Sequence, residues 1–272
     1  MSRFLSVCLL LTLASPSINA LTLTFAYENK PQPPYYLGDA NQVFAEKPGI
    51  AVEMLQKLDQ NMDELEIKFV RMPWKRALYS LKSSRVDGIF NASYKPERLD
   101  FGRYPTKDAK QNGPIDSDRR ITRISYSLYC LDSFAFNWQG DWQMLKGQLV
   151  GAPLGYSIVG DLQKQGIEVE ESSSTQSNLL MLMTKRINLV ALQTISADSI
   201  LSAQANQKQT SSAQQNYGAI KKLSPALVSK DYYLMLSHGF VRQYPQLAQK
   251  IWDEVKRIRV QHSDSLYRAY QD

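Results

Sequence analysis

The stretch from Phe69 to Pro105, FVRMPWKRALYSLKSSRVDGIFNASYKPERLDFGRYP, constrains the fold of this chain more than any other. Trp74, Ala77, Leu78 and Leu81 recur at i, i+3, i+4 and i+7, which predicts a helix with one apolar stripe. Pro73 stands just ahead of that stripe, where a missing N–H costs little. Val86 to Phe90 then forms a short apolar run suited to a buried parallel strand, and beyond Phe90 the residues turn abruptly polar. In open α/β sheets, ligands bind in the crevice outside the carboxyl ends of the strands. Asn91, Ser93 and Arg98 therefore fall where a binding site is expected.

The flanking sequence repeats this alternation. Leu21 to Ala26 and Leu65 to Val70 alternate as strands, and a helix between them puts Ala51, Met54, Leu55 and Leu58 on one face. Prolines at 31, 33 and 34 take the chain out of the sheet before that helix. Strand, helix, strand, helix, strand is the pattern of an α/β unit with a parallel sheet. After an exposed loop over 106–120 and a β-rich run over 121–131, a second set begins. It has strands at 149–152, 167–170 and 188–192, a turn at Gly155-Tyr156-Ser157 opening a helix, a helix over 176–187 and a weaker one over 196–205. Residues 202–216 are rich in Gln and Ser, strands follow at 217–223 and 232–236, and a long helix starts at Pro245. Its stripe of Leu247, Ile251, Trp252, Val255 and Ile258 has no sheet of its own and is expected to pack back on the first half. Crossings near 121–131 and 217–224 predict a hinge between two lobes, and closure of such lobes around a ligand is a known use of that geometry.

Residues 1–20 read as a cleaved signal peptide, with Arg3 as the positive region, Leu5 to Leu13 as the apolar region and Ala20 at the cleavage point. Cys8 lies inside the apolar run, away from the cleavage point that a lipid anchor needs, and no later run is long enough to span a bilayer. Without those residues, Cys130 is the only cysteine, so no intramolecular disulfide forms. Export without disulfides fits a bacterial periplasm, and the length suffices for a core without such staples. The formal charge of +6 is spread among acids, as in Lys95-Pro96-Glu97-Arg98-Leu99-Asp100, unlike the concentrated basic face of a nucleic-acid binder. The chain has no G-x-S-x-G, G-x-G-x-x-G or Walker motif, and its only histidines are His238 and His262. Neither hydrolytic nor nucleotide chemistry is expected, nor a metal or other cofactor.

The order of elements resembles the periplasmic solute-binding proteins of family 3, the amino-acid-binding group. The specific part runs from Arg76 to Phe101, through Arg85-Val86-Asp87-Gly88-Ile89 and Pro96-Glu97-Arg98. Pro34-Tyr35, Gly155-Tyr156-Ser157 and Tyr232-Tyr233-Leu234 add weight by their order. The resemblance implies an α/β, two-lobe, type II periplasmic-binding-protein fold, each lobe a sheet flanked by helices and joined by a hinge. Lobe 1 would comprise 21–122 with 222–272, and lobe 2 would comprise 123–221. It further implies a non-enzymatic monomer that binds a small molecule and serves an inner-membrane ABC transporter permease or a membrane sensor.

Position by position, Arg98 matches the carboxylate clamp, Ser93 the accompanying hydroxyl and Asn91 a further contact. Glu28 and Tyr35 match contact positions at the end of the first strand and on the proline loop, and Ser157 opens a helix whose amides would receive an anion. Each has a plainer alternative: an ion pair of Arg98 with Asp100, turn chemistry for Asn91 and Ser93, a solvated acid at Glu28, a capping aromatic at Tyr35 and a helix cap at Ser157. Trp74 belongs to the apolar stripe and is expected in the core. Where amino-acid binders place an aspartate for the ligand's ammonium group, this chain has Gln193 and Thr194. A carboxylate ligand with a differently placed polar group fits those positions as well as an α-amino acid does. A dehydratase on the same fold, with Glu28 as general acid, is the one enzymatic alternative.

Overall fold

The computed structural model describes residues 20–38, 46–207 and 219–270. The predicted signal segment before Ala20 and the Gln/Ser-rich residues 208–216 lie outside the described residues. Strands β1 (Leu21–Glu28), β2 (Leu65–Met72) and β3 (Gly88–Ser93) form one end of the sheet, with β1 central and parallel to both neighbours. Helices α1 (Ile50–Asn61) and α2 (Trp74–Lys82) connect them, burying the residues that the periodicity assigns inward. The other end holds β5 (Leu149–Pro153), β6 (Glu168–Ser172) and β7 (Leu189–Gln193), again parallel, with α3 (Ser157–Lys164) and α4 (Thr175–Met183) between them. Helix α5 (Thr194–Gln207) follows β7 without a break, two residues ahead of its predicted start.

Two long antiparallel strands, β4 (Thr122–Leu131) and β9 (Val228–Leu236), join the ends, giving the order β2-β1-β3-β9-β4-β7-β5-β6. The return crossing therefore runs through β9. The predicted strand at 217–223 supplies instead a short strand, β8 (Ile220–Lys222), which pairs with Tyr129 to Leu131 of β4. The reason lies in the pairing: β9 bonds β4 with its first half and β3 with its second, whereas β8 bonds β4.

After a short helix α6 (His238–Gln243), helix α7 (Pro245–Ala269) lies against α1, with Ile251, Trp252, Val255 and Ile258 buried and Leu247 only partly so. The Trp252 indole N–H donates to the Leu234 carbonyl at 2.9 Å, tying α7 to β9. In α4, the Ser174 hydroxyl caps the helix by accepting from the Ser177 amide at 3.0 Å. Ser174→Ala is expected to cost about 1 kcal/mol in denaturant unfolding, the usual worth of an N-cap, with no change in the slope of the transition.

The parallel strands at both ends direct their carboxyl termini to one crevice. Glu28 ends β1, Ser93 ends β3 and Gln193 ends β7. That arrangement places the site.

Candidate functional site

A narrow crevice opens between the lobes, lined by Glu28, Tyr36, Trp74, Asn91, Ser93, Arg98, Tyr126, Tyr156, Ser157, Gln193 and Tyr232. Arg98 sits on a 3-10 turn, Pro96–Asp100, that brings its side chain back over the end of β3. Its guanidinium donates to the Ser93 carbonyl at 2.7 Å, to the Ser93 hydroxyl at 3.0 Å and, across the crevice, to the Gly155 carbonyl at 3.2 Å. The group is 6% exposed and stacks 5.3 Å from the centre of the Trp74 ring. Among the described residues no carboxylate pairs with it, so the Asp100 alternative does not hold. A buried cation without a counter-charge is costly, and its neighbours here supply only neutral acceptors.

Asn91 interrupts β3 with a left-handed φ of 59°, between Ile89 and Ala92, where the register with β9 shifts. Asparagine tolerates that conformation better than most residues. Its Oδ1 accepts from Thr122 at 3.0 Å, while its Nδ2 is buried without a partner. The Trp74 indole N–H is also buried and unpartnered. Trp74 thus belongs to the core cluster behind α2 and to the cavity wall at once.

The lining next to Ser93 is tyrosine-rich, and Tyr232 stands opposite Ser93 in the pairing of β9 with β3. The Tyr126 and Tyr232 hydroxyls lie 2.7 Å apart, and the Gln193 amide N–H donates to Tyr232 at 3.2 Å. Gln193 is 2% exposed, and its Oε1 has no partner. Glu28, 6% exposed, accepts from Tyr36 at 3.1 Å and from Tyr156 through a short hydrogen bond, both on Oε2. Burial drives its carboxyl up to about 7 from an ordinary 4.5, against the Tyr156 and Tyr36 hydroxyls and the Arg71 and Lys30 charges.

The lobes touch across the crevice. Besides Arg98 to Gly155 and Tyr156 to Glu28, Gln32 donates to Tyr156 at 2.7 Å and to Thr175 at 3.0 Å, and Lys164 pairs with Glu97 at 2.8 Å. Ser157, at the first turn of α3, accepts from Lys230 at 3.0 Å, and Lys230 is also paired with Asp161. This cation on β9 thus meets the start of α3 beside the cavity.

The structure gathers Glu28, Asn91, Ser93, Arg98, Ser157 and Gln193 at one cavity. It does not bring Tyr35 or Thr194 there. The proline loop folds back on itself through a Gln32–Tyr36 bridge, and the first amides of α1 bond the Pro34 and Tyr35 carbonyls at 2.9 and 3.0 Å. Gly49 permits this contact: its φ is 118°, and a Cβ there would stand 2.4 Å from the Tyr36 Cα. Tyr35 is thereby turned into the core beside Tyr267, fully buried, and Tyr36 faces the crevice instead. The Thr194 hydroxyl is held by Ser127 at 2.8 Å and by the Ser125 carbonyl at 3.1 Å. Nothing local in the sequence points to Tyr36, Tyr126 or Gln32 as site residues; for Tyr126 the only signal is its place in an alternating β run. Among the described residues no group of three or more His, Cys, Asp or Glu stands ready to hold a metal ion, and no helix is long and apolar enough to cross a membrane.

No curated protein sequence matches the chain. Solved structures do. An ancestral arginine-binding protein bound to glutamine superposes with a TM-score of 0.64 at 14% identity, covering 92% of this chain and 97% of its own. The GluR0 ligand-binding core in complex with L-glutamate gives 0.65 at 14% identity, with 94% and 98% covered. A histidine kinase sensor domain similar to periplasmic binding proteins gives 0.64 at 13%, with 92% and 96% covered. At such identities the likeness speaks for the fold, the two-lobe type II arrangement described above. Residues 23–267 match one family throughout, and the chain belongs to the bacterial extracellular solute-binding proteins, family 3.

Proposed function

We propose that this protein is an exported receptor whose lobes close on a small carboxylate-bearing ligand, an amino acid or a relative of one, for delivery to an inner-membrane transporter. One observation carries the reading: Arg98 is buried at the wall of a crevice with a guanidinium that no carboxylate of the described residues neutralises. A ligand carboxylate would supply the missing charge through the paired N–H geometry that a guanidinium offers. The Asn91 and Trp74 donors, also unpartnered, add capacity for the same anion. Lobe 1 (21–122 with 222–272) and lobe 2 (123–221) would move about β4 and β9, and residues 1–20 would be removed on export to the periplasm.

The ligands of the arginine-binding protein and of the GluR0 core support the amino-acid end of this range. The sensor-domain likeness supports a second reading, in which closure is passed to a membrane sensor instead of a permease. Loss of receptor-dependent uptake in a deletion strain distinguishes transport from sensing.

A panel of amino acids and other small carboxylates, read by thermal shift, tests the site. At least one compound is expected to stabilise the wild type and to leave Arg98→Ala unchanged. Equal stabilisation of both would remove Arg98 from ligand binding. Turnover of a carboxylate by the wild type, lost in Glu28→Gln, would move the protein to the dehydratase alternative.

A further inference from the structure

The charge of the crevice lining bears on the ligand's second polar group. Of the residues lining the cavity, only Arg98 and Glu28 are able to carry a full charge near neutral pH. Next to the Arg98 clamp, Tyr232 stands opposite Ser93 in the pairing of β9 with β3, and the Gln193 amide lies between the Tyr126 and Tyr232 hydroxyls. Gln193 is almost fully buried, and its Oε1 has no partner. With the amide turned over, the same position would present its N–H₂ group, so in either orientation it offers hydrogen bonding and no charge. Thr194, the next residue, is turned away and held by Ser127.

Glu28 is not placed as a free counter-ion. Its Oε2 is engaged by Tyr36 from its own lobe and by Tyr156 from the other, with Arg71 and Lys30 as the nearby cations. Its buried setting raises the carboxyl to about 7, so the protonated form prevails below neutrality. With that proton in place the cavity wall carries one positive charge, which a monoanion neutralises. A zwitterion would leave the guanidinium and its own ammonium together in the crevice, unless Glu28 gave up its proton.

Resting on the carboxylate reading above, we propose that the ligand is a monoanion: a carboxylate whose second polar group is an uncharged hydroxyl, carbonyl or amide that bonds Gln193, as in 2-hydroxy acids, and not a zwitterionic α-amino acid.

Matched pairs of 2-hydroxy and 2-amino acids, with small, aliphatic, aromatic, acidic and amide side chains, provide the test by titration calorimetry on the mature chain. The hydroxy member of the binding pair is expected to bind the wild type at least about tenfold tighter, and Arg98→Ala to bind neither. Gln193→Glu, nearly isosteric, is expected to shift the preference towards the amino member by about tenfold or more. A second measurement needs no variant. Binding at pH about 6, below the Glu28 value of about 7, in buffers of different ionisation enthalpy is expected to show no proton release, because a monoanion leaves Glu28 protonated. An amino member that binds tighter than its hydroxy partner in an Arg98-dependent way, or proton release on binding of the hydroxy member, would overturn the monoanion assignment while leaving the carboxylate reading intact. Binding by no member of any pair would overturn both.

Discussion

Arg98→Met is expected to abolish ligand-induced stabilisation and, at the same time, to raise the melting temperature of the unliganded protein. The two effects share one cause. The guanidinium is 6% exposed, has no carboxylate partner among the described residues, and donates to Ser93 and to the Gly155 carbonyl. Replacing a buried ionic group by an apolar one of similar volume is often neutral or stabilising, by about 1–4 kcal/mol. The lost hydrogen bonds subtract from that gain, while the methionine sulfur keeps a favourable contact with the Trp74 ring, so a net gain of about 1 kcal/mol is expected. In the liganded state the balance reverses. Truncating one partner of a buried, hydrogen-bonded charge pair costs about 2–5 kcal/mol, a loss in affinity of roughly 30-fold to several thousand-fold. Calorimetric melting with and without a ligand found by the thermal-shift panel checks both signs. A variant that melts several degrees below the wild type without ligand would make Arg98 a structural residue.

Unliganded wild-type protein is expected to lose stability as pH rises from the mid-fours through neutrality, and Glu28→Gln to lose most of that dependence. The Glu28 carboxyl stands at about 7 in the folded chain and at 4.5 when unperturbed. Between these values the folded state holds a proton that the unfolded state has released, so stability falls as pH rises. The contribution is fully present below the lower value and gone above the higher one. Its size is about 3 kcal/mol, since each tenfold gain in proton affinity on folding is worth roughly 1.4 kcal/mol. Burial is the main cause, with the Tyr156 and Tyr36 hydroxyls opposing it, so Tyr156→Phe is expected to push the carboxyl higher still. Urea unfolding across this range, for wild type and Glu28→Gln, measures the difference directly. Parallel curves would show that the Glu28 carboxyl titrates no differently in the folded and unfolded chains.

Elements with a strong local period are legible in the amino-acid order alone. The stripes Trp74-Ala77-Leu78-Leu81 and Ile251-Trp252-Val255-Ile258 are buried as their spacing requires. Helix α4 ends at Met183, short of its predicted end at 187, because a run of apolar residues does not mark where a helix stops. The second crossing lies one strand beyond its expected place for a similar reason. Residues 217–223 and 232–236 look alike as β-rich runs, and only pairing separates a three-residue strand on β4 from β9 (Val228–Leu236), which bonds both β4 and β3.

Sequence by itself determined the α/β alternation, the apolar faces and the position of Asn91, Ser93 and Arg98 after a buried strand, because these depend on neighbours within a turn or two of chain. The tertiary structure decided that Tyr36 and not Tyr35 faces the crevice, since adjacent residues differ there only through a loop folded against α1. It also decided that Gln32 and Glu28 meet Tyr156, partners 124 and 128 residues away. Contacts across a cleft are set by how the two ends of the sheet are joined, and no local window of sequence contains both sides.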